Sequence, residues 1–491
     1  MILEGIMSVF HFNIILLTFA GTVFGIIFGS IPGISVTMGC ALFLPLTFGM
    51  EPIAGLALMC GLYIGGTSGG LISAVLLKIP GTAASVATTF DGSPMAERGE
   101  AGKALGVGIV FSFLGGMFSL LILIFVSPLL AKIALQFGPY EYFSIAIFSL
   151  TMIASLSSGS MVKGLICALF GIFVGFIGSA PITSYPRFVF GNNQLLAGVS
   201  MLPVLIGLFA VSQVIMLAEE KNKIEDVKPM EYKIKGFGFS MVEFKSQLFN
   251  FFRSAAIGTG IGILPGLGAG VTNIIAYGTA KNQSKHPEKF GTGIIDGIVA
   301  SETSNNASTG GALVPLMTLG IPGDNTTAIL LAAFTIHGIQ PGPLLFATNG
   351  NLVYGVFTAL IIANIFMLIT EFYGIRIFVK LLSVPKKILM PVVMTFCVVG
   401  AFSYNNRIFD IIVMLIFGVI GYVLNKFKFP MSPIILGFIL GPIIEENLLR
   451  GLSRSQGSFL PFFTQPISLL FLTITIIVVT LTIIKSRKNK I

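Results

Sequence analysis

Two runs of small polar residues sit in a chain that is otherwise apolar. The first is Ser301-Glu302-Thr303-Ser304-Asn305-Asn306-Ala307-Ser308-Thr309-Gly310-Gly311, and the second is Pro322-Gly323-Asp324-Asn325-Thr326-Thr327. Their carboxylates, carboxamides and hydroxyls are hard oxygen groups suited to Na⁺ or to relay of a proton. Their donors suit a carboxylate ligand. Glu302 and Asp324 are the candidates for coupling a cation, and a Na⁺ at these two is the one metal the residues suggest. Asp91 ranks behind them because a charged loop neighbours it, and His337 reads as structural.

Four Pro-Gly pairs flank this chemistry: Pro32-Gly33, Pro80-Gly81, Pro265-Gly266 and Pro322-Gly323. Proline removes a backbone donor and disfavours helix at the residue before it, while glycine accepts conformations closed to other residues. Each pair is therefore expected to split an apolar segment into half-helices. In lipid such a break is tolerated only where protein buries it or a wet cavity lines it. The freed amides at a helix N-terminus then suit an anion. With the hydroxyls and carboxamides beside them, these give the candidate substrate-binding set: Pro32, Gly33, Thr37, Ser68, Pro80, Gly81, Thr82, Pro265, Gly266, Asn305, Asn306, Pro322, Gly323, Asn325 and Thr326.

The elements that must position these residues occur twice. Gly25–Gly33 and Gly258–Gly266 both read G-x-x-x-G-x-x-P-G, and their prolines lie 233 positions apart. Ile79-Pro80-Gly81 and Ile321-Pro322-Gly323 follow in the same order, 242 positions apart, each after a small polar run, Gly66–Gly70 or Ser308–Gly311. That pattern predicts an internal duplication, common in secondary transporters. Glycines at a period of four (21, 25, 29, 33 and 258, 262, 266, 270) also predict close helix packing.

Composition sets the class. Of 491 residues, 54% are hydrophobic and 10% charged, with a mean hydropathy of +0.95; soluble domains carry about 25% charged residues. The expected fold is an all-α polytopic membrane protein with roughly ten to twelve crossings at about 20 residues each. Residues 1–218 form the first membrane half, 219–250 a hydrophilic linker and 251–491 the second half. The apolar pieces Ile53–Tyr63 and Leu71–Ile79 read as separated by the Gly65–Gly70 run. No barrel pattern appears. The net charge of +9 reads as Lys and Arg on cytoplasmic loops, not as a nucleic-acid surface. Four scattered cysteines form neither a disulfide framework nor a metal motif, and no cofactor is expected beyond Na⁺ or H⁺ as coupling ion. The lysines of the 219–250 linker and the basic tail Lys485–Lys490 favour the cytoplasm for both linker and C-terminus, so the second half enters from that side at Phe251, whereas the N-terminal segment has Glu4 and no Lys or Arg before its first helix. The two halves are therefore expected to be inverted in the membrane.

A rival reading is enzymatic. Gly66-Thr67-Ser68-Gly69 fits a pattern of intramembrane serine proteases, with Ser68 as nucleophile. A serine needs a base in hydrogen-bond reach, and His11 and His337 show no evident orienting partner. The second repeat lacks a serine at this place. A permease, not an enzyme, is the expected class.

Longer motifs make the chain familiar. Gly29–Gly33, Ile79–Leu105, Ile263–Ala269, Ser301–Ala307, Leu319–Gly323 and His337–Phe346 resemble the large membrane subunit of tripartite tricarboxylate transporters, over about residues 12 to 440. The resemblance implies a multi-pass permease of the cytoplasmic (inner) membrane, moving small organic carboxylates with a cation gradient. It implies two partners besides the lipid bilayer: a small four-helix membrane subunit and an extracytoplasmic solute-binding protein.

Overall fold

The computed structural model describes residues 2–156, 161–219, 238–381 and 386–488. The loop expected at Ser157–Ser160, residues 220–237 of the expected linker, and residues 489–491 of the basic tail lie outside them. The described chain is helical apart from one short antiparallel pairing, Gly178 with Arg187 and Ser179 with Pro186. Among the described residues seven helices are long and apolar enough to cross a membrane, and five shorter apolar helices of 10–17 residues join them. Within the expected linker, Glu219 closes one helix, and Met241–Ser246 forms another, capped by Ser240.

Ten helices position the polar residues. In the first half they are α1 (Phe12–Ser30), α2 (Val36–Phe43), α3 (Pro52–Leu76), α4 (Val86–Glu97) and α5 (Ala101–Ala134). In the second they are α6 (Leu248–Gly262), α7 (Gly268–Gln283), α8 (Ile295–Leu319), α9 (Asn325–Ile336) and α10 (Gly350–Leu381). The order is the same in both: a helix of at least 15 residues, a Pro-Gly, a second helix, a buried 25-residue helix, a second Pro-Gly, a 12-residue helix, and a helix of over 30 residues.

Glycine decides how these helices pack. On α1, Gly21, Gly25 and Gly29 lie against the backbone of Leu58, Leu62 and Gly66, while Gly61, Gly65 and Gly69 of α3 lie against Thr18, Thr22 and Ile26. Both sets ascend together, so α1 and α3 run parallel with their backbones in contact. The second half repeats this, with Gly258 and Gly262 of α6 against Ser304 and Ser308 of α8. Without a hydrophobic drive between helices in lipid, backbone proximity of this kind is what holds them.

The Gly65–Gly70 run does not break a helix. It lies inside α3, a single buried helix from Pro52 to Leu76, where Thr67 Oγ1 donates to the carbonyl of Tyr63. The glycines cost helix propensity, but Gly65, Gly66 and Gly69 buy the approach of α1 and Val36. The Pro-Gly pairs do end helices. Gly33 (φ 86°) and Gly266 (φ 84°) are left-handed turns, a conformation that favours glycine.

Contact order fixes helix directions. Ser93 of α4 lies on Ala74 of α3 and Glu97 pairs with Lys78, so α4 runs alongside the end of α3. The chain then reverses, and Gly108 of α5 meets Leu71; α5 is antiparallel to α3. Gly115 and Ser119 of α5 meet Thr303 and Gly310 of α8 in ascending order, so α5 and α8 are parallel. Therefore α3 and α8, the matching central helices of the two halves, run antiparallel.

Candidate functional site

The Ser301–Gly311 run is the middle of α8, and every residue of it is buried. A polar helix so deep needs its groups satisfied from neighbouring elements. Glu302 accepts from Thr88 Oγ1 of α4 at 2.5 Å, from Ser112 Oγ of α5 at 2.9 Å and from Asn305 Nδ2 at 3.2 Å. Three donors from three helices thus hold one carboxylate, and among the described residues no Lys, Arg or His pairs with it. Asn305 Nδ2 also donates to the carbonyl of Ala84, just after Pro80-Gly81-Thr82. Asn306 Nδ2 donates to Asn305 Oδ1 at 2.5 Å.

The first of the later Pro-Gly turns sits beside this cluster. Gly81 lies against the backbone of Gly29 and Gly70, where a side chain has no room. Thr82 N donates to Ser85 Oγ at 3.3 Å, and Ser85 Oγ returns a bond to the Thr82 carbonyl. The Thr82 hydroxyl is buried and has no partner among the described residues. It faces Gly70 of α3.

The matching turn in the second half forms a second cluster. Asp324 caps α9, accepting from Thr327 N at 2.7 Å, and its Oδ2 accepts from the Tyr63 hydroxyl of α3 at 2.8 Å. Thr326 Oγ1 stands 3.0 Å from Thr37 Oγ1 of α2. Gly323 is pressed on Ala312, and its carbonyl accepts from Gly266 N at 2.6 Å, joining both second-half Pro-Gly turns. Pro265 and Pro322 are buried beside them. Thr82 and Asp324 hold corresponding places after their Pro-Gly pairs: Thr82 opens the 3-10 turn Ala83–Ser85 that leads into α4, and Asp324 opens α9 itself, with Ser85 or Thr327 three residues on.

Not every expected residue joins these clusters. Pro32 and Asn325 are half-buried, with no side-chain hydrogen bond to either cluster, and Gly33 is exposed with its carbonyl accepting from Gln213 Nε2 at 2.5 Å. Ser68 turns elsewhere: its hydroxyl donates to Glu371 Oε2 of α10 at 2.8 Å. His337 lies by Gly55 of α3, 13 residues from Ser68 and about 20 Å along the helix. Ser68 therefore has a carboxylate partner and no histidine base, and nothing supports the hydrolase reading. Asp91 accepts from the backbone of Gly291, Gly293 and Ile294 and from Tyr277, pinning the start of α8.

Four polar partners were not foreseen. Ser112 carries no signal as a lone hydroxyl in an apolar stretch, and Thr88 stands in a polar helix, beside Thr89 and near Asp91 and Ser93, where nothing sets it apart. Tyr63 does carry one, because it stands 242 positions before Asn305 in the register of the duplication. Glu371 interrupts an apolar helix immediately after Leu352–Ile369, and an acid there is a functional signal by itself.

Residues 15–436 match the family model described as the tripartite tricarboxylate transporter TctA family. The chain belongs to that family. It is thus a multi-pass membrane protein of a transporter family whose members are permeases of tripartite systems, which include other subunits and a binding protein. Among curated relatives of this TctA-family chain, an Agrobacterium vitis protein described as an uncharacterized 52.8 kDa protein in the TAR-I ttuC' 3' region is 33% identical over 473 residues, covering 96% of this chain and 93% of the relative. An uncharacterized protein in the TAR-II ttuC' 3' region of the same organism is 35% identical over 233 residues, 48% of this chain and 96% of the relative. No solved structure matches.

Proposed function

We propose that this TctA-family chain is a secondary active permease for di- and tricarboxylates, coupled to Na⁺ or H⁺ and working by alternating access rather than as an enzyme. The supporting observation is the antiparallel pairing of α3 and α8, each followed by a Pro-Gly turn and a 12-residue helix whose segment contacts the other half. Antiparallel central helices are what inverted repeats require, and in such repeats the substrate lies between broken helices near the midplane. Substrate carboxylates are received by hydroxyls and amides around Thr82, Asn305, Thr37 and Thr326. Glu302 and Asp324 hold or relay the cation.

Orientation follows from charge. Lys78, Arg98, Lys103, Lys285 and Lys289 gather at the end where α3 finishes and α8 begins, and cations favour the cytoplasmic side. The permease then lies in the cytoplasmic (inner) membrane with the N-terminal segment outside and the C-terminus inside. Its partners are a small four-helix membrane subunit and an extracytoplasmic solute-binding protein that delivers the acid.

The test is uptake. Proteoliposomes holding the chain with its small subunit, supplied with the binding protein and labelled citrate or tartrate, should accumulate label only under an inward Na⁺ or H⁺ gradient. Accumulation that ignores both gradients would remove the coupling, and hydrolysis of a membrane peptide would restore the enzymatic reading.

A further inference from the structure

Glu371 sits on α10, a helix of over 30 residues, and its side chain is fully buried. One oxygen, Oε2, accepts from Ser68 Oγ at 2.8 Å. The other, Oε1, has no hydrogen-bond partner among the described residues and touches no solvent. This differs from Glu302, whose two oxygens accept three side-chain donors, and from Asp91 and Asp324, which accept backbone amides.

An ionised carboxylate in an apolar interior needs a counter-ion or a full set of donors. Glu371 has neither. Of the helices packed on α10, α1 has no Asp, Glu, Lys, Arg or His, and α3 contributes Ser68 with Cys60 and Tyr63 as its only titratable groups. The lysines of α5, Lys103 and Lys132, lie towards its ends, and Glu4 of the helix Ile2–Val9 lies by Asn351 at the start of α10. Arg376 and Lys380 follow on α10 itself, toward its end. Glu302 of α8 is a further acid in the same interior and supplies no counter-ion. A metal cation needs several oxygen ligands, and among the described residues Ser68, which donates rather than coordinates, is the one polar side chain hydrogen-bonded to Glu371. Among the described residues no group of three acids, histidines or cysteines could hold a metal.

We infer that Glu371 carries a proton on Oε1 at neutral pH, making the Ser68–Glu371 pair a proton-binding site at the core of the permease, separate from the Glu302 cluster. Ser68 then serves as the donor that fixes the carboxyl rotamer, leaving Oε1 to receive and release the proton as α10 moves against α3. The protonation stands on the buried geometry alone; its use in transport rests on the permease reading.

Infrared spectroscopy of the purified chain in lipid tests this without any substrate. The wild type at neutral pH should show a protonated-carboxyl C=O band that shifts in D₂O. Glu371→Gln should lose it and Glu302→Gln should keep it. Ser68→Ala should move it to higher frequency, because the bond to the acid carbonyl is gone. Absence of the band in the wild type, or its persistence unchanged in a folded Glu371→Gln, would overturn the inference. If Glu371→Gln fails to fold, the Ser68→Ala shift decides: a displaced band supports the site and an unmoved band ends it. Failure of uptake in the proteoliposome assay would bear on the permease reading and leave this result untouched.

Discussion

Thr37 Oγ1 and Thr326 Oγ1 stand 3.0 Å apart although 289 residues separate them. They tie the short helix after the first Pro-Gly to the short helix after the last. If transport needs α2 and α9 to separate, a covalent link here stops it. Thr37→Cys with Thr326→Cys, in a background lacking Cys40, Cys60, Cys167 and Cys397, should lose uptake on oxidation and regain it on reduction. Full uptake by the oxidised, cross-linked protein would show that this contact stays closed through the cycle.

Glu302 is held by Thr88, Ser112 and Asn305. Glu302→Gln keeps the shape and removes the charge. Gradient-driven accumulation should fall by roughly 5–150-fold, the span of a coupling free energy of about 1–3 kcal/mol. Glu302→Ala strands buried donors and should also lower stability, by about 1–3 kcal/mol. Normal driven uptake by Glu302→Gln would end its role in coupling.

The glycine ladder is a stability device with a sharp internal control. A Cβ at Gly29 meets the backbone of Gly66, whereas a Cβ at Gly260 meets nothing within 4 Å. Gly29→Ala should cost about 1–3 kcal/mol by forcing α1 from α3. Gly260→Ala, on an exposed helix face, should gain up to about 1 kcal/mol. Thermal unfolding in one detergent compares them, and equal melting temperatures would contradict the packing account.

Much of this arrangement is written in the sequence because lipid makes backbone needs strict. Gly33 and Gly266 are legible since few residues but glycine take a positive φ after proline, and the repeat of motifs at offsets of 233 and 242 marks corresponding turns. What misleads is that glycine has two uses in membranes. The Gly65–Gly70 run looks like a break, yet the same residues permit the backbone contact of α3 with α1, which restores the helix they weaken. Glu302 and Asp324 stand out as acids in polar runs. Ser112 does not, because a lone hydroxyl in an apolar helix usually bonds its own preceding turn, as Thr18 and Thr22 do here; Ser68 stands out by its motif, but nothing in that motif points to Glu371. Only the approach of three helices tells which hydroxyls face a carboxylate.

One ion pair ties the helix Met241–Ser246, which lies in the expected linker and outside the candidate membrane spans, to the start of α5. Glu243 accepts from Lys103 Nζ at 2.5 Å and closes a capping box with Ser240. The Lys103 bond, then the Ser240 amide, pull its pKa from 4.5 down to about 2. A depressed carboxyl stabilises the fold above its unfolded pKa and loses that as pH falls toward the folded value. The gap between wild type and Glu243→Gln should therefore be constant above about pH 5 and close between about pH 4.5 and 2. Both partners are about one-third exposed, so screening limits the effect to about 0.5–1 kcal/mol. Melting curves across this window, at low and high salt, measure it; a gap that widens on acidification would reverse the sign.

The antiparallel run of α3 and α8 makes a prediction about sidedness. If the two halves enter the membrane from opposite faces, Leu3, before α1, and Ser246, before α6, lie on opposite sides. Both are exposed, and the four native cysteines are buried. Lys245 beside Ser246, with Lys103 and Arg98 nearby, assigns that end to the cytoplasm. In intact cells an impermeant maleimide should label Leu3→Cys and spare Ser246→Cys until the membrane is opened. A parallel duplication puts both residues on one face, where the two variants would respond alike. That outcome would also separate the turns at Pro32-Gly33 and Pro265-Gly266 from any axis in the membrane plane, and with them the shared midplane site.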